Sequence, residues 1–320
     1  MITARGLRRG FTVRGRPVDA VRGVDLDVEP GEIAAFLGPN GAGKTTTVRM
    51  LTTLLRPGGG HAVVAGRDLM TDPLGVRARI GSVAQGHGSA PDHRVGEQVE
   101  LQARLYGLGR AEARARTGRL LSDLELAGLE RRPGRTLSGG QRRRLDLALG
   151  LVHAPPLVFL DEPTAGLDSQ SRTNLWKHIA ALRGDLGMTV FLTTHYLEEA
   201  DTLADRVFVM DRGTVVAAGT PAELKARVSA DLLTVGVPRT ERRAALRVVS
   251  GLAGATEVTE TGDGVRFRVP DGDTVVPPLL RALDAAGVTA TSVEVRHPTL
   301  DDVLLTLTGQ ASPVEVDSVA

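Results

Sequence analysis

The chain has 320 residues, 42% of them hydrophobic, with 39 Lys and Arg against 38 Asp and Glu for a net charge of +1. That balance describes a globular protein and gives no electrostatic reason to expect a nucleic-acid partner. It has no cysteine, which excludes disulfides and thiolate metal sites, and its longest apolar runs, such as Leu157–Leu160 and Val215–Ala218, fall far short of the about twenty residues of a membrane span.

The amino-terminal MITARGLRRGFTVRGR lacks the apolar core of a secretory signal. Val24–Val28 alternates and breaks at Pro30-Gly31, which predicts a strand ending in a turn. Glu32–Leu37 predicts a short buried strand, Gly38–Gly43 a glycine-rich loop, and Thr45–Leu55 a helix stopped by Pro57-Gly58-Gly59-Gly60. Ile80–Ala84 predicts a further strand, and Val95–Leu129, rich in Ala, Arg, Glu and Leu, a helical insertion. Leu157–Leu160 and Thr189–Thr193 predict buried strands, each followed by a helix. Alternating strands and helices predict an α/β core around a mostly parallel sheet.

Near Thr220–Ser229 the pattern changes. Strand Leu232–Val237, helix Glu241–Leu252, strands Thr256–Thr261 and Val265–Val269, helix Val275–Ala286, strand Val288–Val295 and helix Thr299–Leu307 follow. This βαββαβ order with one extra helix is the split βαβ arrangement. The expected organisation is a first domain over 1–220 with an insertion at about 88–153, a second over 221–310, and a flexible tail over 311–320.

Between a predicted strand and a predicted helix, Gly38-Pro39-Asn40-Gly41-Ala42-Gly43-Lys44-Thr45 fits the phosphate-loop pattern G-x-x-x-x-G-K-[ST], with Thr46 following. Glycines let successive amides converge on phosphates, and the helix start adds its positive dipole end. Lys44, in a chain that otherwise uses only Lys177 and Lys225, would reach the β- and γ-phosphates of a bound nucleotide, and the Thr45 hydroxyl would ligate Mg²⁺. The run Leu157–Glu162 delivers Asp161 to hold Mg²⁺ and Glu162 to orient and polarise the attacking water. Within LSGGQRRRLDLAL, at Leu137–Leu149, Ser138, Gly139 and Gly140 offer a hydroxyl and unhindered amides, and Ser138 with Gln141 also fits a capping box. Arg142–Arg144 reads as a solvated helix face. His87 and His93 flank Asp92, but the histidines outside the motifs show no paired metal spacing, and Trp176 reads as packing.

In order and spacing, the phosphate loop, Gln85, LSGGQ at Leu137–Gln141, LDEP at Leu160–Pro163, Leu167-Asp168 and His195 resemble the ATP-binding-cassette (ABC) ATPases over about the first 220 residues. The resemblance implies a P-loop core with a mostly parallel sheet, an antiparallel β subdomain and a helical insertion. It implies a homodimer paired head to tail, in which Ser138, Gly139, Gly140, Gln141 and Asp168 of one copy serve the ATP held by the other. It assigns Gln85 to sensing Mg²⁺ and the γ-phosphate, and His195 to bonding the γ-phosphate. Phe11 stands where an adenine-stacking aromatic is found, with a core role equally open.

Gly38–Leu51, Leu105-Tyr106-Gly107-Leu108, TTHYLEEA at Thr193–Ala200 and PTLDDVLLTLTG at Pro298–Gly309 resemble the DrrA-like daunorubicin/doxorubicin-resistance ATPases. That family implies efflux of a drug or hydrophobic natural product through a separate integral membrane permease, with the ATPase on the cytoplasmic side and no nucleic-acid partner. It implies a carboxyl-terminal domain that regulates or docks the permease. Leu304 stands where the family often has Phe, and Pro298–Gly309 reads equally as an amphipathic helix closing the small domain. Lipid, polysaccharide or ion transport, or a soluble role without transport, are the alternatives.

Overall fold

The computed structural model describes residues 1–86, 88–184, 187–228 and 230–309; the tail and His87 lie outside them. The described residues divide into two compact units at Pro221/Ala222. Among them no helix is long and apolar enough to cross a membrane.

In the first unit, an antiparallel sheet orders its strands Arg16–Val28, Ile2–Val13, Gly59–Val64, Arg67–Asp68. Val24, Leu26 and Val28 point into the core while Asp25 and Asp27 face out, as one-sided burial of an antiparallel sheet requires. A six-stranded sheet runs Thr214–Gly219, Arg206–Asp211, Ile33–Leu37, Thr189–Thr194, Leu157–Asp161, Ile80–Val83. All its pairings are parallel except that of the first two strands. Ile33–Leu37, Leu157–Asp161 and Thr189–Thr194 are buried at every position, the signature of strands covered on both faces. Phe36 and Phe159 each pack there on Phe191, with ring centroids 5.5 Å from its own.

One helix of this unit differs from its predicted extent. The helix after the phosphate loop spans Lys44–Leu51 and stops short of Leu55, because Thr53 turns left-handed (φ 64°) and the Thr53 and Leu55 amides fold back on the Met50 and Arg49 carbonyls. Within the helical insertion expected over Val95–Leu129 lie two helices, Val95–Leu105 and Arg110–Asp123, parted at Gly107, whose φ is 88°. A third helix, Gly139–Leu151, then leads back to the central sheet. Since Ile80–Val83, Leu157–Asp161, Thr189–Thr194 and Ile33–Leu37 are adjacent and parallel, the loops after all four leave from one edge, where ligands of open α/β sheets bind.

The second unit is an antiparallel sheet in the order Thr256–Glu260, Gly264–Val269, Asp231–Gly236, Ser292–Arg296. Helices Arg242–Ser250 and Gly272–Ala285 close its core, burying Ala245, Val249, Leu279 and Leu283 with Leu233, Val235 and Phe267. The final strand begins at Ser292 instead of Val288, which is buried as a single residue after the helix. Helix Leu300–Thr308 is amphipathic: Leu300, Val303 and Leu304 are buried, whereas Leu305 and Leu307 are exposed. It starts with a capping box in which the Thr299 hydroxyl accepts the Asp302 amide and Asp302 accepts the Thr299 amide. Thr299→Ala is expected to cost about 1 kcal/mol of this unit's stability, read as a lower Tm. Bonds from the Thr299 amide and hydroxyl hold the Asp302 carboxyl below its ordinary range, so its contribution is present at neutral pH and is lost as acid titrates it.

Candidate active site

The buried strand Ile33–Leu37 runs into the phosphate loop, and the helix begins at Lys44 behind Gly43. Gly43 sits at φ 107°, and a Cβ there would lie 2.4 Å from the Ala20 carbonyl oxygen, so only glycine fits. The Lys44 side chain is buried and donates to the Gly38 (2.6 Å) and Pro39 (3.1 Å) carbonyls. Burial pulls its pKa down, opposed by the charges of Glu162 and Asp161. A cation held among carbonyl dipoles is well placed to exchange them for a phosphate anion. A cleft of about 470 Å³ opens here, lined by Asn40, Gly41, Gly43, Lys44, Thr45 and Thr46, and also by Phe11, Ala20, Gln85 and Glu162. Phe11 is 38% exposed and lines this cleft.

Asp161 ends its strand 5% exposed, accepting from the Thr193 hydroxyl at 2.5 Å and the Thr45 hydroxyl at 3.3 Å. Adjacent ligands of an octahedral Mg²⁺ lie about 2.9 Å apart, so a hydroxyl and a carboxylate at this spacing fit that ion. No group of three His, Cys, Asp or Glu among the described residues could hold a metal, so phosphate oxygens and water would have to complete the shell.

Glu162 follows in the left-handed region (φ 45°), its amide donating to the Thr193 carbonyl and hydroxyl oxygens. That turn aims its carboxylate back over the cleft, where it accepts Gln85 Nε2 at 2.8 Å and faces His195 Nδ1 at 3.5 Å. The hydrogen bond from His195 is the main cause that holds the Glu162 carboxyl below its ordinary range, with the charges of His195 and Lys44 and the Gln85 amide adding to it against burial. A carboxylate so stabilised is anionic at neutral pH and suited to orienting and polarising water.

The Ser138 group lies elsewhere. Ser138 caps helix Gly139–Leu151, its Oγ accepting the Gln141 amide at 3.2 Å while Gln141 Oε1 accepts the Ser138 amide at 3.0 Å. Ser138 and Gly140 line a second, smaller cleft of about 190 Å³ with Glu125, Arg144, Gln170, Ser171 and Asn174. Asp168 grips the Ser171 amide (2.8 Å) and hydroxyl (2.9 Å), two bonds that lower its pKa. The two clefts have no lining residue in common. One chain thus gathers Phe11, the phosphate loop, Gln85, Asp161, Glu162 and His195 in one place, and Ser138, Gly139, Gly140, Gln141 and Asp168 in another.

The reading of Arg142–Arg144 as a solvated face fails at Arg143. It is 5% exposed, and its guanidinium donates to carbonyls on both sides of Gln85 and along the Asp161–Pro163 turn. The spacing held a signal: Arg143, Asp146, Leu147 and Gly150 repeat at i, i+3, i+4, i+7, the period of a buried helix face. Thr193, which orders both acids, also escaped the sequence reading. So did Glu199, fully buried, which accepts from the Thr164 hydroxyl and Trp176 Nε1.

Residues 21–165 match the ABC transporter family, and residues 219–308 match the C-terminal domain of DrrA1-3-like ATP-binding proteins. The fold is similar to the dimeric post-hydrolysis structure of the ATP-binding cassette MJ0796 bound to ADP and phosphate. That cassette is 25% identical at a TM-score of 0.63, over 69% of this chain and 98% of that one. Fold and phosphate cleft together define the ATP-hydrolysing cassette of an ABC transporter, a class whose members dimerise and pair with a membrane permease. Over 91% of each chain, the sequence is 45% identical to the daunorubicin resistance ATP-binding protein DrrA3 of Streptomyces coeruleorubidus. Over 96% of this chain and 93% of the relative, it is 39% identical to the doxorubicin resistance ATP-binding protein DrrA of Mycobacterium tuberculosis. The chain belongs to the DrrA-like family of ABC-transporter ATP-binding proteins.

Proposed function

We propose that two copies pair head to tail, each holding ATP in its phosphate cleft and covering the partner's ATP with Ser138, Gly139, Gly140, Gln141 and Asp168. The observation that supports this reading is the separation of the two clefts: the cleft lined by Ser138 and Gly140 shares no lining residue with the chain's own phosphate cleft. Adenine stacks on Phe11, the loop from Gly38 to Thr46 wraps the phosphates, and Lys44 draws in their charge. Thr45, Asp161 and Gln85 would hold Mg²⁺, which when bound neutralises the phosphate oxygens. Glu162 polarises a water whose oxygen attacks the γ-phosphorus as the bond to the β-phosphate oxygen breaks, releasing ADP and phosphate, while His195 steadies the γ-phosphate. Residues 1–220 form the cassette and 221–310 a docking or regulatory domain.

The work drives efflux of a drug or hydrophobic natural product through a separate membrane permease, which would hold this subunit at the cytoplasmic face. The similarity to daunorubicin and doxorubicin resistance proteins supports that cargo class. Reconstitution with the permease in vesicles, followed by a screen of hydrophobic drugs, tests it. At least one such drug is expected to stimulate ATP turnover severalfold and to be moved in an ATP-dependent way, whereas stimulation by lipids or polysaccharides alone would overturn the cargo assignment.

A further inference from the structure

Helix Gly139–Leu151 begins with the residues that serve the partner's nucleotide, yet one turn in it holds the hydrolytic residues of its own chain. Arg143 Nε donates to the Pro163 carbonyl at 2.7 Å. One terminal nitrogen reaches the Ala84 (2.9 Å) and Gly86 (3.0 Å) carbonyls, which flank Gln85, and the other reaches the Asp161 (3.1 Å) and Glu162 (3.3 Å) carbonyls. Asp146, three residues on and also buried, accepts the Gly88 (3.1 Å) and Ser89 (2.9 Å) amides of the segment after Gln85. A helix face that needed only to fill space would carry aliphatic side chains here. A cation taken out of water at 5% exposure is costly, and that cost is offset by five charge-assisted bonds to two loops. The same bonds bear on the Glu162 backbone, whose left-handed conformation (φ 45°) is unfavourable for a residue with a side chain.

We propose that Arg143 is a positioning residue that fixes the Glu162 turn and the Gln85 loop to the helix bearing Ser138–Gln141, so that contact of this helix with a partner's ATP reaches the chain's own hydrolytic residues. The proposal rests on the assignment of Glu162 to the attacking water. Its chemistry is specific to arginine: a planar fork with five N–H donors matches carbonyls spread over two loops, whereas a lysine ammonium is a single point with three. A packed, hydrogen-bonded link of this kind is the physical carrier that coupling between two sites requires.

The experiment measures steady-state ATP turnover by the full chain, with Arg143→Lys and Arg143→Gln compared in isolation and combined with Glu162→Gln. Each single variant is expected to lower kcat by about 10–100-fold, the scale of a misplaced catalytic group, with KM for ATP within about threefold. It should also bring the ATP dependence of turnover closer to non-cooperative. Added to Glu162→Gln, either substitution should lower kcat by less than about threefold further, because the group it positions is already gone. Wild-type kcat in both single variants, full additivity in the double variants, or a fall in Tm that accounts for the lost activity of both would each overturn the proposal. Hydrolysis by Glu162→Gln alone reports on the Glu162 assignment separately, so the two ideas fail by different outcomes.

Discussion

Glu162→Gln should leave ATP affinity within about threefold of wild type while turnover falls by about 10²–10⁴-fold, the range that a positioned proton-transfer group supplies. The substitution keeps the size and the two contacts of the side chain: an amide can still meet Gln85 Nε2, at 2.8 Å in the wild type, and still face His195 Nδ1. What disappears is the negative charge that polarises water. The buried Lys44 and the loop amides are untouched, so nucleotide still binds. ATP-bound dimers should therefore accumulate, visible as an ATP-dependent shift in size-exclusion chromatography without phosphate release. Near-normal hydrolysis by the variant would refute the assignment.

Lys44→Ala acts on the other side of the phosphates. In the proposed site, removing this buried cation would deprive the γ- and β-phosphates of a direct charge-assisted donor, and truncating such pairs costs several kcal/mol. ATP affinity is expected to fall by about 10²-fold or more, measured with a fluorescent nucleotide. The variant also tests the composite site, since its Ser138–Gln141 surface is intact. Gly140→Val damages that surface instead: a Cβ there would come within 2.9 Å of Ser171 Oγ, which Asp168 holds. Each variant alone should be inactive. Mixed in equal amounts they should recover up to about a quarter of wild-type turnover, because half of the dimers are mixed and each has one complete site. A mixture as inactive as its components would sink head-to-tail pairing.

Much of this was legible in the sequence, and the gaps have physical causes. The phosphate loop could be read because its glycines and lysine answer to one geometry. The three central strands could be read because burial on both faces forces continuous apolar runs. Ile2–Val13 was not seen as a strand: register shifts after Ala4 and after Arg9 break the alternation that would reveal it, and arginines cover its outer face. The end of the helix at Leu51 was hidden since Thr53, not glycine, makes the left-handed turn. Arg143 was concealed between two other arginines, and only the phase of the helix decides which of the three points inward. The meeting of Phe11, Gln85, Glu162 and His195 is a property of strand order, which periodicity along the chain does not encode.

A hydroxyl oxygen that accepts one hydrogen bond still has its own proton to give. Ser138 Oγ accepts the Gln141 amide and the Gln141 side chain answers it, so this helix end is already ordered while the serine proton remains outside the pair. A triphosphate brought in by a second molecule can meet a rigid donor without first freezing a floppy segment, which removes one of the usual entropic penalties of association. Encounter would then be gated by whether the opposite molecule carries its nucleotide.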